Sequence, residues 1–286
     1  MWIIFGLTSA LANASKNALV KHHTRKTNTF VITWAWLFYS LLILVPIMLV
    51  KGAPVLDSIF WKTLAVLLFL DTVAYLFYVK ALKLTDLSLA LPMLTLTPFF
   101  VLLTGLVINH EFPRPLGILG VMAIVTGAYW LNFKRGASLW RPFSAIYHDK
   151  GVSMMFLVAL IWSFTAPLQK LAILHSNPYF FAGFEALCLT IIFTPLAWQA
   201  NKEDLAVALK VKNIPRFIPI GLFDGIGILC QMIGQSLAST VLIISLKRTS
   251  IVFSSILGWL IFGEKIRSRV LPIIVMIVGV VLISIS

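Results

Sequence analysis

The stretch "TVLIISLKRTSIVFSSILGWLIF", residues 240–262, is mainly apolar and carries one charged pair, Lys247 and Arg248. A helix rises about 1.5 Å per residue, so roughly 20 apolar residues cross the ~30 Å hydrocarbon core of a bilayer. The stretch is therefore long enough to span a membrane. Its basic pair sits where a lipid-facing helix would stay apolar. Lys247 lies ~10 Å along the axis from Thr240, too deep for easy snorkelling. An ionisable group at a helix centre costs roughly 2.5–3.5 kcal/mol on insertion scales. The pair is expected to face an aqueous cavity or an acidic partner.

The rest of the chain reads the same way. Of its 286 residues, 60% are hydrophobic and 12% are charged, against about 25% charged in a soluble domain. The net charge of +13 comes largely from basic residues in short loops, where they meet anionic headgroups and set topology. With no basic domain outside the membrane, a nucleic-acid partner is not expected. Cys188 and Cys230 fall inside apolar runs and read as packing residues. The opening segment "MWIIFGLTSALANASKNALV" has no positive n-region and reads as a mature helix rather than a signal peptide.

Apolar runs and polar breaks predict an all-α membrane protein of ten transmembrane helices: 2–20, 30–50, 61–80, 86–108, 116–133, 151–171, 178–198, 216–236, 240–262 and 268–286. The longest polar break, 134–150, divides them five and five. Its Leu139, Trp140, Phe143, Ile146 and Tyr147 recur at helical spacing, as in a segment lying flat at the interface. The halves 1–133 and 151–286 repeat. An offset of 149 brings Leu11, Leu19, Lys21, Asn28 and Pro46 onto Leu160, Leu168, Lys170, Asn177 and Pro195. An offset of 153 brings Asp71, Leu84, Phe100, Gly105 and Glu111 onto Asp224, Leu237, Phe253, Gly258 and Glu264. A five-helix unit starts and ends on opposite sides of the membrane, so the second copy runs inverted. Inverted repeats commonly place a transport site between the halves near the midplane.

Loops after the odd-numbered spans hold 16 basic residues and the remaining loops hold four: Lys51, Lys62, Arg114 and Lys170. The positive-inside rule then puts the first set in the cytoplasm and both termini outside, in a plasma (inner) membrane.

Three acidic residues fall within spans: Asp71, Glu185 and Asp224. Helical spacing groups Asp71 with Tyr75 and Tyr78, Asp224 with Gln231 and Gln235, Asn13 with Lys16 and Asn17, and Trp162 with Gln169. These stripes are expected to converge between the halves. Lys247 and Arg248 either hold a ligand or pair with Asp71, Asp224 or Glu185. Glu185, Asp71 and Asp224 are also candidates to carry a coupling proton. Trp34 and Trp36 read as interfacial anchors, Glu111 and Glu264 as structural groups at helix ends, and Pro46, Pro92, Pro98, Pro167 and Pro195 as kinks.

"LPMLTLTPFFVLLTGLVINHE" (91–111) and "SLKRTSIVFSSILGWLIFGEK" (245–265) each close a helix on Gly then Glu, at Gly105 and Glu111 and at Gly258 and Glu264. Each is followed by a helix containing glycine: Gly117, Gly120 and Gly127, then Gly279. With ten helices in a 5 + 5 repeat, the chain resembles the EamA-type branch of the drug/metabolite transporter superfamily over essentially its whole length. That resemblance implies a transporter, and it leaves the substrate open among amino acids, sugars, nucleotide-sugars, drugs and phosphorylated metabolites. It also implies cytoplasmic termini, against the loop charges. The Lys247-Arg248 pair is similar to the phosphate-binding pair of the plastid phosphate-translocator branch, but Leu94 stands where that branch has a further lysine.

The expected function is a secondary active transporter of a small polar or zwitterionic solute working by alternating access. Its substrate site is built from Lys247, Arg248, Asp71, Tyr75, Tyr78, Asp224, Gln231 and Trp162. A broad exporter of hydrophobic cations and a phosphorylated-metabolite exchanger are the alternatives. No enzyme, metal or cofactor is expected: the five histidines lie in loops or at helix ends, and no G-x-x-x-x-G-K-[ST], H-E-x-x-H or G-x-S-x-G motif occurs.

Overall fold

A computed structural model of the chain describes residues 1–23, 27–85, 87–131, 141–262 and 270–286. Glu264 and its neighbouring basic residues, Lys134, Arg135, Leu139 and Trp140 lie outside this set. Among the described residues the regular structure is helical. In chain order the helices are α1 (Trp2–His23), α2 (Thr29–Lys51), α3 (Ser58–Leu84), α4 (Leu87–Thr95), α5 (Thr97–Asn109), α6 (Pro115–Leu131), α7 (Arg141–His148), α8 (Lys150–Leu174), α9 (Pro178–Ala200), α10 (Lys202–Leu209), α11 (Ile214–Leu237), α12 (Thr240–Arg248), α13 (Ser250–Phe262) and α14 (Val270–Ser284). A 3₁₀ turn over Val211–Asn213 precedes α11.

Local chemistry sets the helix starts. Asn28 and Asn177, equivalent at the 149 offset, each accept a first-turn N–H with the side-chain oxygen, from Phe30 and Phe180. Asp57 and Asp149 do the same for α3 and α8. Such caps satisfy amides that have no partner within the helix. At Asp57 the Phe60 N–H, helped by His175, holds the carboxyl below its usual range.

Seven segments among the described residues are long and apolar enough to cross a bilayer: Thr29–Lys51, Ser58–Leu84, Pro92–Asn109, Lys150–Leu174, Pro178–Ala200, Ile214–Leu237 and Thr240–Leu257. The helices α6 and α14 are shorter apolar ones. At 22 residues α1 has the length but not the apolarity. Two of its polar groups turn onto protein instead: Ser9 donates to the Gly227 carbonyl at 2.8 Å and Asn13 to Ser250 Oγ at 3.3 Å.

Two of the expected continuous helices are broken. The run 86–108 divides at Leu96 and the run 240–262 at Thr249. The breaks are equivalent at the 153 offset and share a bonding pattern. Leu96 N–H donates to the Met93 carbonyl (3.2 Å) and Thr249 N–H to the Leu246 carbonyl (2.9 Å). Hydroxyls also bond back onto carbonyls, Thr97 on the Leu94 carbonyl that Pro98 leaves without an amide (2.8 Å) and Thr249 on Leu246 (2.6 Å). Pro98 removes an amide at the first break. At the second, the Thr249 hydroxyl competes with the backbone. Lys247 and Arg248 are thus the last turn of a half-helix, where cations suit the exposed carbonyls.

Loop contacts sort the connections into two ends. At one, Asn28 N–H donates to Asp204 Oδ2 (2.6 Å) and the Thr85 hydroxyl to Asp149 Oδ2 (2.8 Å). At the other, His175 Nδ1 lies 2.7 Å from Asp57 Oδ2 and Arg114 reaches the Ser286 carbonyl at 3.2 Å. Glu111 belongs to this second end, where it pairs with Lys170 and accepts the Thr240 N–H at 2.9 Å, anchoring the start of α12.

The helices pack mainly as α1 on α11, α2 on α9 and α11, α3 on α8, and α6 on α14. Trp34 and Trp36 are corrected by this packing. They are 3% and 9% exposed, inside the cluster with Tyr39, Phe193 and Phe217, so they are not lipid-interface anchors. Trp34 Nε1 donates to Thr194 Oγ1 at 2.9 Å instead. In the short helix α7, Ile146 packs against the core while Tyr147 is exposed.

Where α6 meets α14, a Cβ on Gly120 would lie 2.7 Å from the Gly279 carbonyl, and one on Gly279 2.7 Å from the Gly120 carbonyl. Backbone cannot swing away as a side-chain tip can. Gly120→Ala is therefore expected to destabilise the protein by ~1–3 kcal/mol, the range for overpacking, read as a lower thermal midpoint in detergent.

Candidate functional site

Polar side chains from α1, α3, α8, α9, α11 and α12 converge midway between the two ends. Asp71, Glu185, Asp224 and Gln231 are each under 10% exposed. Lys16, Tyr75, Tyr78, Trp162, Gln169, Lys247 and Arg248 keep partial exposure.

Two contact systems organise the cluster. In the first, Lys16 Nζ lies 2.9 Å from Asp224 Oδ1 and 4.8 Å from the centroid of the Trp36 ring. In the second, Lys247 Nζ donates to Gln231 Oε1, Gln231 Nε2 to Gln169 Oε1 (3.2 Å), and Gln169 Nε2 to Glu185 Oε1 (3.4 Å). One hydrogen-bonded chain thus crosses α12, α11, α8 and α9. Asp71 faces the Thr165 hydroxyl and feels the charge of Lys247 from beyond ion-pair distance. Tyr75 stands within electrostatic reach of all three buried acids, and Tyr78 of Lys16 and Arg248. Trp162 packs against both tyrosines, with ring centroids 6.1 Å and 5.7 Å away.

The expected stripes therefore meet, and each proposed site residue from Asp71 to Arg248 lies in this cluster. Ion pairing of the basic pair is not what holds it. Among the described residues no carboxylate lies within 4.0 Å of Lys247 or Arg248. Asp224 is taken by Lys16, and Arg248 Nε has no hydrogen-bond partner among the described residues. Gln235, on the Asp224 face, turns to the Ala166 carbonyl at 3.4 Å. Asn17 is exposed.

Sequence reading did not find the bridging role of Gln169, the Lys16-Asp224 pair or Thr165. The repeat carried a signal for the last. The 149 offset takes Lys16 to Thr165, and 153 takes Asp224 back to Asp71. The two contacts Lys16-Asp224 and Thr165-Asp71 are thus equivalent.

A solved crystal structure of a protein 16% identical to the chain superposes on 99% of it and on 97% of its own length, with a TM-score of 0.77. At that identity the likeness speaks for the fold alone. No curated protein matches the chain. The model of the EamA-like transporter family matches residues 1–133 and again 149–285. A chain of apolar spanning helices, matched by that family over both of its halves, belongs to the EamA-like transporters of the drug/metabolite superfamily and is a multi-pass integral membrane protein.

Proposed function

We propose that the chain is a secondary active transporter of a small polar or zwitterionic organic solute, working by alternating access. Its moving parts are two inverted five-helix halves, 1–133 and 151–286, joined by 134–150. The observation that carries this reading is the basic pair: two cations held deep in a transporter, at a helix break, with no carboxylate within 4.0 Å among the described residues. Broken helices at membrane depth commonly line solute sites. Arg248 offers a planar fork and Lys247 a point charge, suited to a carboxylate or phosphate. Gln231 orients Lys247. Tyr75, Tyr78 and Trp162 supply apolar wall, and Asp71, Asp224 and Glu185 balance charge or carry a coupling proton.

Packing supports the two-half arrangement. If spans five apart are equivalent, α1 on α11 becomes α8 on α3, while α2 on α9 and α6 on α14 map onto themselves. All of these contacts occur. The sorting of the loops into two ends supports odd-numbered halves, and the loop charges put both termini outside a plasma (inner) membrane. Export of hydrophobic cations is favoured by a separate observation, the Tyr75, Trp162 and Phe193 rings beside the buried acids. Against a phosphate exchanger, Leu94 is a buried apolar residue at the position of the second anchor.

Solute counterflow in proteoliposomes, tested with amino acids and organic phosphates, separates these readings. Lys247→Ala is expected to slow anion-bearing solutes about tenfold or more, since a hydrogen bond to a charged group contributes ~1.5–3 kcal/mol. Efflux of a hydrophobic dye cation, undiminished in the variant and with no anion-bearing solute carried by the native chain, sinks the reading.

A further inference from the structure

We infer that Asp71 and Glu185 form a receptor for an ammonium group of the solute, and that Lys16 closes the equivalent place beside Asp224. The inference builds on the anion-holding role of Lys247 and Arg248 and gives the solute its second pole.

One half displays how this scaffold holds an alkylammonium. The Nζ of Lys16 bonds a buried carboxylate at 2.9 Å and lies over the Trp36 ring at 4.8 Å. The offset of 149 carries Lys16 to Thr165 and Trp36 to Glu185, and 153 carries Asp71 to Asp224. In the other half the same carboxylate therefore faces a short hydroxyl where the lysine stood, and a second carboxylate replaces the ring. Asp71 and Glu185 are each 5% exposed. Among the described residues no basic side chain lies within 4.0 Å of either. Glu185 uses one oxygen to accept from Gln169, and its other oxygen has no hydrogen-bond partner among the described residues. Two carboxylates so largely buried and within electrostatic reach of each other are costly to keep charged together. A cation with N–H donors relieves that cost. The Tyr75 ring, packed at 5.6 Å from Phe193 and within reach of both acids, gives such a cation an aromatic wall. The chain Lys247-Gln231-Gln169-Glu185 ties this receptor to the anion site. A solute carrying an acid group and a primary amine would engage both ends of the chain at once.

Methylammonium and acetate serve as the separated poles. The thermal midpoint of the purified full chain in detergent is followed as each replaces its sodium or chloride control at constant ionic strength. Methylammonium is expected to protect the native chain saturably by mass action. Glu185→Gln and Asp71→Asn are expected to raise its half-saturating concentration by about tenfold or more. Thr165→Lys, which copies Lys16 into the other half, is expected to remove the protection altogether. If methylammonium fails to protect the native chain, or protects the Glu185→Gln chain as well as the native one, the receptor is wrong. Protection of Thr165→Lys at native strength overturns it equally. Should that lysine prevent folding, the near-isosteric Glu185→Gln still decides. Acetate reports separately: protection that depends on Lys247 keeps the anion site standing even when the receptor fails. Absence of both protections removes the two together.

Discussion

Arg248→Leu is expected to slow solute transport about tenfold or more while leaving the protein at least as stable as before. These effects usually travel in opposite directions for a buried charge. Removing one member of a buried ion pair typically destabilises by ~3–5 kcal/mol, because the other charge is left behind. Arg248 leaves no paired carboxylate behind among the described residues. No carboxylate lies within 4.0 Å among the described residues, and its Nε has no hydrogen-bond partner. A charge at membrane depth costs roughly 2.5–3.5 kcal/mol, which the leucine relieves. The thermal midpoint should hold or rise while counterflow falls about tenfold or more. Functional sites commonly retain such destabilising groups. A clear drop in midpoint would instead make Arg248 a structural clasp.

Lys16→Ala is expected to do the reverse to stability. Its ammonium is the partner of Asp224 Oδ1, and Asp224 Oδ2 is already a buried oxygen with no hydrogen-bond partner among the described residues. Taking Lys16 away strands the whole carboxylate, at ~3–5 kcal/mol. Adding Asp224→Ala should return much of that loss, because an absent charge needs no partner. A double-mutant cycle in thermal unfolding measures the coupling. Losses that simply add would show that the pair contributes nothing, and that Lys16 belongs with Lys247 among groups kept for a ligand.

Sequence reading reached furthest where one physical constraint acts alone. Apolar runs, loop charge and recurring Pro, Asp and Asn positions made the spanning segments legible, because a bilayer admits few alternatives. The convergence of Asp71, Tyr75, Asp224, Gln231 and Lys247 followed from helical spacing. What stayed hidden depends on partner choice in three dimensions. Periodicity could not say that Asp224 takes Lys16 and leaves Lys247 to Gln231, since either cation satisfies the same pattern. The breaks at Leu96 and Thr249 were hidden because a proline or threonine inside an apolar run is also compatible with a continuous helix. Trp34 and Trp36 were misplaced because the interfacial preference of tryptophan says nothing about which face of a helix meets protein.

The site itself is tested most directly by a thermal-shift screen of the purified chain against amino acids, phosphorylated metabolites and organic cations, repeated on Lys247→Ala. Even modest affinity registers at high ligand concentration, because a ligand that binds only the folded state stabilises it by mass action. The expected result is a solute bearing an anionic group that protects the native chain and not the variant. Protection of both chains alike, or by hydrophobic cations alone, would contradict a solute site built on the basic pair.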